Sequence, residues 1–269
     1  MPENLHPQAL AFQKLANAIR REHGIEERAL LRHTEPIYKN ARAQLKALVS
    51  KRNTGQTKVL VTGLPRSGTG YISSLLSSHP NSFTKGEVFD PAQHSYNNYV
   101  QKAQELAAKR PHALFSLKFL AFQSPSYPTD LMDLGSLGWK IIGLHRKNKA
   151  LQALSYYLAT AFDTFHRFHE SKSGHPIKVH VDLLNVVTGI LIQSETQLLE
   201  YYKELHPFIQ VVNFEKDIVE ESRCIDLVSR FLGIPANLFQ ERERPTFPNT
   251  WELISNADEI REWLSKQLA

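Results

Sequence analysis

The chain has 269 residues, of which 42% are hydrophobic and 22% are charged, a composition that suits one globular domain with a full core. The net charge is +5, but acidic residues are interspersed and no basic stripe carries interleaved aromatic side chains, so a nucleic-acid-binding surface is not expected. The single cysteine, Cys224, excludes a disulfide framework and a cysteine-based zinc site.

No stretch approaches the length of an apolar membrane span, and no signal-peptide pattern opens the chain. We therefore expect a cytoplasmic protein without a transmembrane segment. The modest excess of basic residues suits an anionic small-molecule ligand, and the oligomeric state is left open.

Residues 1–52 are predicted to form a helical extension that packs on the main domain, residues 53–269. Apolar side chains recur there at helical spacing, at Leu10, Phe12, Leu15, Ala16 and Ile19, and again from Ala41 to Val49. The segment carries no residue pattern with a recognisable chemical role. A partner-binding arm is the alternative to packing on the domain.

The next element is a strand, a glycine loop and a helix in direct succession. Lys58 to Thr62 is a β-branched apolar run typical of a strand buried on both faces, and Gly63 to Gly68 forms a tight loop. Helical spacing then begins at Tyr71. Because the first N–H groups of a helix have no internal partner, this arrangement predicts an anion-binding site.

The loop chemistry narrows the kind of anion. Gly63 and Gly68 have the spacing of a Walker A loop, but Thr69 stands where that motif needs a lysine. Arg66 places a cation inside the loop, and Ser67 adds a hydroxyl. This favours a nucleotide with an anionic leaving group that is held without a metal, although the same residues would also serve an ordinary turn and helix cap.

Two later strand ends carry candidate site residues. If Ser82 to Lys85 is the second parallel strand, Glu87 emerges beside the anion loop, where a carboxylate can accept a proton from a hydroxyl. Arg146 ends a later strand, and Ser155 follows on a helix, so this pair is placed to hold a second phosphate. Each charged residue would equally suit an exposed strand end.

The remaining pattern alternates strands with helices. The predicted strands are Ala113–Phe119, Gly138–Asn148 and Phe208–Glu215, the predicted helices are 91–112, Lys149–Thr160, Val181–Leu205, Ile218–Leu232 and Trp251–Leu268, and Gln123–Gly138 is predicted as a loop. Such alternation predicts an α/β fold, a three-layer sandwich with a central parallel sheet and helices on both faces.

With these residues in place, the chain resembles bacterial carbohydrate-type sulfotransferases, which use 3′-phosphoadenosine-5′-phosphosulfate (PAPS), and is most similar to the Nod-factor and trehalose group. The resemblance runs from about Lys58 to the C-terminus. Its most specific parts are LPRSGTGYISSLLSSHPN, KGEVFD, LFSLKF and KIIGLHRKNKALQALS, whereas VVNFEKDI and NADEIREWL fit more loosely.

The resemblance implies a nucleotide-binding fold of the P-loop type and assigns a role to each candidate. It implies that the 5′-phosphosulfate is held by Arg66, Ser67, Gly68, Thr69 and Gly70, that the 3′-phosphate is held by Arg146 and Ser155, and that Glu87 is the base. The C-terminal phosphate loop of phenol and steroid sulfotransferases has no clear counterpart, with Arg242 and Arg244 as weak substitutes.

The expected reaction is therefore transfer of a sulfuryl group from PAPS to a hydroxyl of a carbohydrate, glycolipid or related acceptor, without a metal. Two alternatives stay open at this point. One is an ATP-dependent small-molecule kinase with a degenerate phosphate loop, and the other is a non-catalytic nucleotide-binding protein of the same fold.

Overall fold

The computed structural model describes residues 6–25, 55–87, 98–124, 126–162, 175–219, 221–240 and 250–268. These residues contain one sheet whose strands are β1 (Thr57–Gly63), β2 (Ser82–Glu87), β3 (Leu114–Lys118), β4 (Trp139–His145) and β5 (Ile209–Asn213). All its strand pairs are parallel, and the order is β2-β3-β1-β4-β5. The predicted central parallel sheet is confirmed.

Helices connect and follow these strands. They are α1 (Pro7–Glu22), α2 (Thr69–Ser77), α3 (Tyr99–Ala108), α4 (Tyr127–Ser136), α5 (Lys149–Ala161), α6 (Val181–Glu204), α7 (Glu221–Leu232) and α8 (Ala257–Leu268). A π-helical turn covers Phe214–Ile218, and 3-10 turns cover Ala236–Leu238 and Thr250–Leu253. Among the helices in the described ranges, none is both long and apolar enough to cross a membrane.

Strand β1 separates two hydrophobic clusters because its side chains alternate between the two faces of the sheet. Leu60 joins a large cluster with α1 and α3 to α6, whereas Val59 and Val61 join a second cluster with α2 and α7. All three side chains are fully buried. The sheet is thus covered on both faces, which confirms the three-layer sandwich.

Helix α1 contributes to the larger of these clusters. Its Phe12, Leu15 and Ile19 side chains are buried, and the Tyr156 hydroxyl on α5 donates a hydrogen bond to the backbone oxygen of Phe12 at 3.1 Å. The region from Ala41 to Val49, where a second helix is predicted, lies outside the described residues. The division between residues 52 and 53 stays a prediction.

The predicted loop Gln123–Gly138 is wrong, since most of it forms helix α4. Pro128 lies in the first turn, where a backbone N–H has no intrahelical partner and proline is therefore tolerated. Tyr127, Leu131 and Leu134 recur at helical spacing and are fully buried. The content of proline, serine and glycine favours a loop, but the helical spacing of these apolar residues determines the structure.

The last strand also ends earlier than predicted, at Asn213 instead of Glu215. The Asn213 side chain accepts a hydrogen bond from the backbone N–H of Lys216, and the Asp217 carboxylate accepts one from the N–H of Asn213. These local bonds replace the ladder and start the π-helical turn. The final helix was likewise predicted too long, because Trp251 belongs to a separate 3-10 turn.

Candidate active site

A crevice is expected at the carboxyl end of β1. Helix α2, which follows β1, packs on one face of the sheet, whereas α4 and α5, which follow the neighbouring strands β3 and β4, pack on the other. Chains that leave adjacent strands in opposite directions open a cleft where ligands of α/β proteins bind. The glycine loop, Arg146 and Glu87 all lie at this edge of the sheet.

The glycine loop has a strained backbone at its centre. Arg66 adopts a left-handed conformation with φ of 64°, which costs about 1–2 kcal/mol for a residue with a side chain. Two side chains hold the loop there, one directly after β4 and one on α5. Arg146 Nη1 donates to the backbone oxygen of Arg66 at 3.3 Å, and Gln152 Nε2 donates to that of Pro65 at 2.8 Å. Such strain is characteristic of functional loops.

Ser67 turns its hydroxyl into the loop. The residue is fully buried, and its Oγ has no hydrogen-bond partner within the described part of the chain. A Cβ added at Gly63 would lie 2.6 Å from that oxygen, so the glycine makes room for it. Thr69 and Gly70 follow as the first residues of α2. A buried hydroxyl beside a helix N-terminus forms a donor set that suits an anion.

Replacement of Gly68 by alanine is expected to destabilise the protein by about 1–3 kcal/mol. Gly68 has φ of 103°, and an added Cβ would lie 2.6 Å from Ile218 Cδ1 and 3.0 Å from the Phe214 ring. Thermal unfolding of Gly68→Ala measures the loss. The matched control is Gly70→Ala, because a Cβ there meets no atom within 4 Å and should leave stability unchanged or slightly raised. Equal midpoints for both variants would contradict the left-handed turn.

Arg66 and Ser155 form a direct contact between the loop and α5. Arg66 Nε donates to Ser155 Oγ at 3.0 Å. Burial, and after it the nearby charge of Arg146, lower the pKa of Arg66 to about 10, although Glu87 opposes the shift. The guanidinium therefore remains protonated at neutral pH. Ser155 therefore contacts Arg66 directly, and Arg66 in turn accepts a hydrogen bond from Arg146 at its backbone oxygen.

Arg146 follows β4 directly, and the turn after β5 supports its side chain. The guanidinium carbon lies 4.3 Å from the centre of the Phe214 ring, and Nε lies 3.8 Å from Glu215 Oε1. Burial lowers the pKa of Arg146, and Glu215 opposes this. A largely desolvated guanidinium is well suited to bind a phosphate. Arg242 and Arg244 lie outside the described residues.

Glu87 lies at the end of β2, as predicted, and forms an ion pair with Lys118, for which no role is predicted from the sequence. Lys118, at the end of β3, places its Nζ 2.5 Å from Glu87 Oε1. The two side chains are only 15% and 13% exposed. The register shifts between Lys85 and Glu87, which brings Glu87 opposite Lys118. The ion pair fixes the orientation of the carboxylate at the carboxyl end of β2.

Three further polar residues connect the site to α6. Lys149 donates to Gln152 Oε1 at 3.0 Å and forms an ion pair with Glu195, which also accepts a hydrogen bond from the N–H of Arg146 at 3.3 Å. Gln152 in turn holds Pro65 in the glycine loop. This network has no signature in the sequence, because Glu195 is far from the other members along the chain.

Comparison with known proteins finds no matching family model and no matching curated protein. A sulfotransferase structure from Alicyclobacillus acidocaldarius is similar with a TM-score of 0.48 and 15% identity, over 79% of this chain and 92% of that chain. A mouse sulfotransferase complexed with PAP is similar with a TM-score of 0.44 and 14% identity, over 83% and 86%. At these values neither likeness informs the chemistry of the site.

Proposed function

We propose that this protein is a sulfotransferase that moves a sulfuryl group from PAPS to a hydroxyl of a carbohydrate, glycolipid or related acceptor. The main support for the proposal is that the glycine loop with Arg66 and the segment after β4 with Arg146 meet at the same edge of the sheet. Arg146 Nη1 donates to the backbone oxygen of Arg66, and the positive charge of Arg146 lowers the pKa of the Arg66 guanidinium. Glu87 lies within electrostatic range of Arg66.

The donor set fits a nucleotide that carries two separate anionic groups. Ser67, Arg66 and the first N–H groups of α2 suit the 5′-phosphosulfate, because they supply donors and positive charge in one loop. Arg146 suits the 3′-phosphate, since its planar fork matches phosphate geometry. Thr69 replaces the Walker A lysine, which makes γ-phosphate transfer from ATP the less suitable chemistry.

The roles of the chain's own groups follow from this placement. PAPS, when bound, supplies the activated sulfuryl group. We assign Glu87 as the base: it accepts the proton of the acceptor hydroxyl while the hydroxyl oxygen forms its bond to sulfur. Lys118 keeps the Glu87 carboxylate in place. Arg66 and the loop N–H groups stabilise the negative charge that grows on the departing 5′-phosphate, as preorganised donors do in many enzymes.

Radiolabelled transfer tests this function. We expect the purified protein to move ³⁵S from labelled PAPS onto a carbohydrate or glycolipid in an acceptor panel, and EDTA should not lower the rate. Calorimetry should also show binding of 3′,5′-adenosine bisphosphate (PAP), the spent donor. Absence of affinity for both PAPS and PAP would overturn the proposal.

The same assay separates two other candidates. A kinase is favoured only by the Walker-like spacing of Gly63 and Gly68, and it would transfer label from γ-labelled ATP in a reaction that EDTA stops. A non-catalytic nucleotide-binding protein would bind PAP but leave every acceptor unlabelled. The presence of Glu87 beside Arg66 argues against this last candidate.

A further inference from the structure

We propose that Glu215 is a positioning residue for Arg146. Glu215 lies in the π-helical turn Phe214–Ile218, which follows β5, and β5 pairs with β4, the strand that directly precedes Arg146. The inference rests on the proposed function, because it takes the ligand of Arg146 to be the 3′-phosphate of the donor nucleotide. It assigns to Glu215 the task of fixing the arginine before that phosphate binds.

Both carboxylate oxygens of Glu215 hold the backbone that follows Arg146. Oε2 accepts from the N–H of Lys147 at 2.9 Å, and Oε1 accepts from the N–H of Asn148 at 3.0 Å. A carboxylate can accept both bonds, whereas a glutamine amide offers one acceptor and one donor group. This position therefore requires an acid, and the clamp fixes the point from which the Arg146 side chain leaves the backbone.

The same turn also holds the side chain of Arg146. Phe214 stacks under the guanidinium at 4.3 Å, and Glu215 Oε1 lies 3.8 Å from Nε. On its other side, the turn approaches the glycine loop, since a Cβ at Gly68 would lie 3.0 Å from Phe214. One π-helical turn thus contacts both anion-binding loops, and such turns are frequent at functional sites.

Glu215 has two opposing effects on a phosphate at Arg146. Burial raises the pKa of Glu215, but the N–H groups of Asn148 and Lys147 and the charge of Arg146 together bring it below its usual value. The ionised carboxylate repels a phosphate, while the clamp holds the arginine that attracts it. Because these effects have opposite signs, the direction in which affinity changes in a variant identifies the dominant one.

The test is Glu215→Gln, studied by calorimetry with PAP and with AMP, which lacks the 3′-phosphate. We expect PAP binding to weaken about tenfold, because the variant loses one hydrogen bond to a charged group, and we expect AMP binding to stay unchanged. Removal of the negative charge alone would strengthen PAP binding. Unchanged or tighter PAP binding by the variant would therefore overturn the inference.

Asp217→Asn is the matched control. Asp217 is a buried carboxylate of the same turn, but it accepts from the N–H of Asn213 and pairs with Arg223. We expect this variant to lower the unfolding midpoint while the ratio of PAP to AMP affinity stays at the wild-type value. If the ratio of PAP to AMP affinity fell as much in Asp217→Asn as in Glu215→Gln, Glu215 would have only a role in folding, and the assignment would be overturned.

A second measurement needs no ligand. Hydrogen exchange of the amides at Lys147 and Asn148 should accelerate in Glu215→Gln, whereas that in β1 should not change. Wild-type protein that binds neither PAP nor PAPS would overturn the proposed function and this inference with it. If the wild-type protein binds PAP more tightly than AMP and Glu215→Gln shows the same preference, this inference is overturned while the proposed function stands.

Discussion

Glu87→Gln is expected to lower sulfuryl-transfer turnover by about 10² to 10⁴, while PAP binding stays close to that of the wild type. Glutamine has the shape of glutamate but cannot take the proton of an acceptor hydroxyl. Glu87 is fixed by Lys118 at the carboxyl end of β2, so the substitution changes the chemistry at that point more than the geometry of the nucleotide site. Initial rates with labelled PAPS and calorimetry with PAP measure the two quantities.

Two further variants show what the loss in Glu87→Gln means. Glu200→Gln makes the same substitution in a carboxylate that is 61% exposed and paired with Lys203, and it should leave turnover unchanged. Lys118→Met removes the partner of Glu87 and keeps the carboxylate. If Lys118→Met lost as much turnover as Glu87→Gln, the ion pair would be the essential feature. Near-normal turnover in Glu87→Gln would remove Glu87 from the role of base.

Arg146→Ala is expected to weaken PAP binding by about 10² to 10³, since a bidentate charged contact is worth about 3–4 kcal/mol. The loss should be far smaller for AMP, because only the 3′-phosphate is assigned to Arg146. Glu215 keeps its two backbone hydrogen bonds in this variant, which limits the disturbance of the loop. Calorimetry with both nucleotides measures the difference.

Arg261→Ala serves as the control for lost positive charge. Arg261 lies on α8 with a side chain that is 52% exposed, stacked over Trp251, and its removal should leave both affinities unchanged. Equal losses of PAP and AMP affinity in Arg146→Ala would place the arginine near a group that both nucleotides share. The assignment of Arg146 to the 3′-phosphate would then be wrong.

Features encoded in short stretches of the chain could be predicted. Strand β1 and the following loop could be predicted because a buried apolar run, two glycines and a helix follow one another between Thr57 and Ser77. Helix α4 is not predicted, because its content of proline, serine and glycine is typical of a loop. The helical spacing of Tyr127, Leu131 and Leu134 nevertheless marks its buried face. The two kinds of signal conflict there, and the burial of the apolar face decides the structure.

Contacts between distant parts of the chain could not be predicted. The predicted role of Ser155, to bind a phosphate together with Arg146, stays a prediction. What could not be predicted is that the Ser155 hydroxyl accepts a hydrogen bond from Arg66, because this contact depends on how α5 packs beside the loop. The contacts of Glu195 and Glu215 likewise exist only once β4, β5 and α6 are assembled. An isolated glutamate in a helical or strand pattern gives no sign of such a partner.

The closeness of Arg66 and Arg146 has a consequence for how this protein can change over time. Two desolvated guanidinium groups near one another lower the free energy of unfolding, and a bound anion relieves that penalty. A lineage that no longer used an anion here would keep this repulsion without its compensation, and would retain Arg146 only for the contact that holds the glycine loop. Loss of both arginines among descendants would therefore mark abandonment of the ligand.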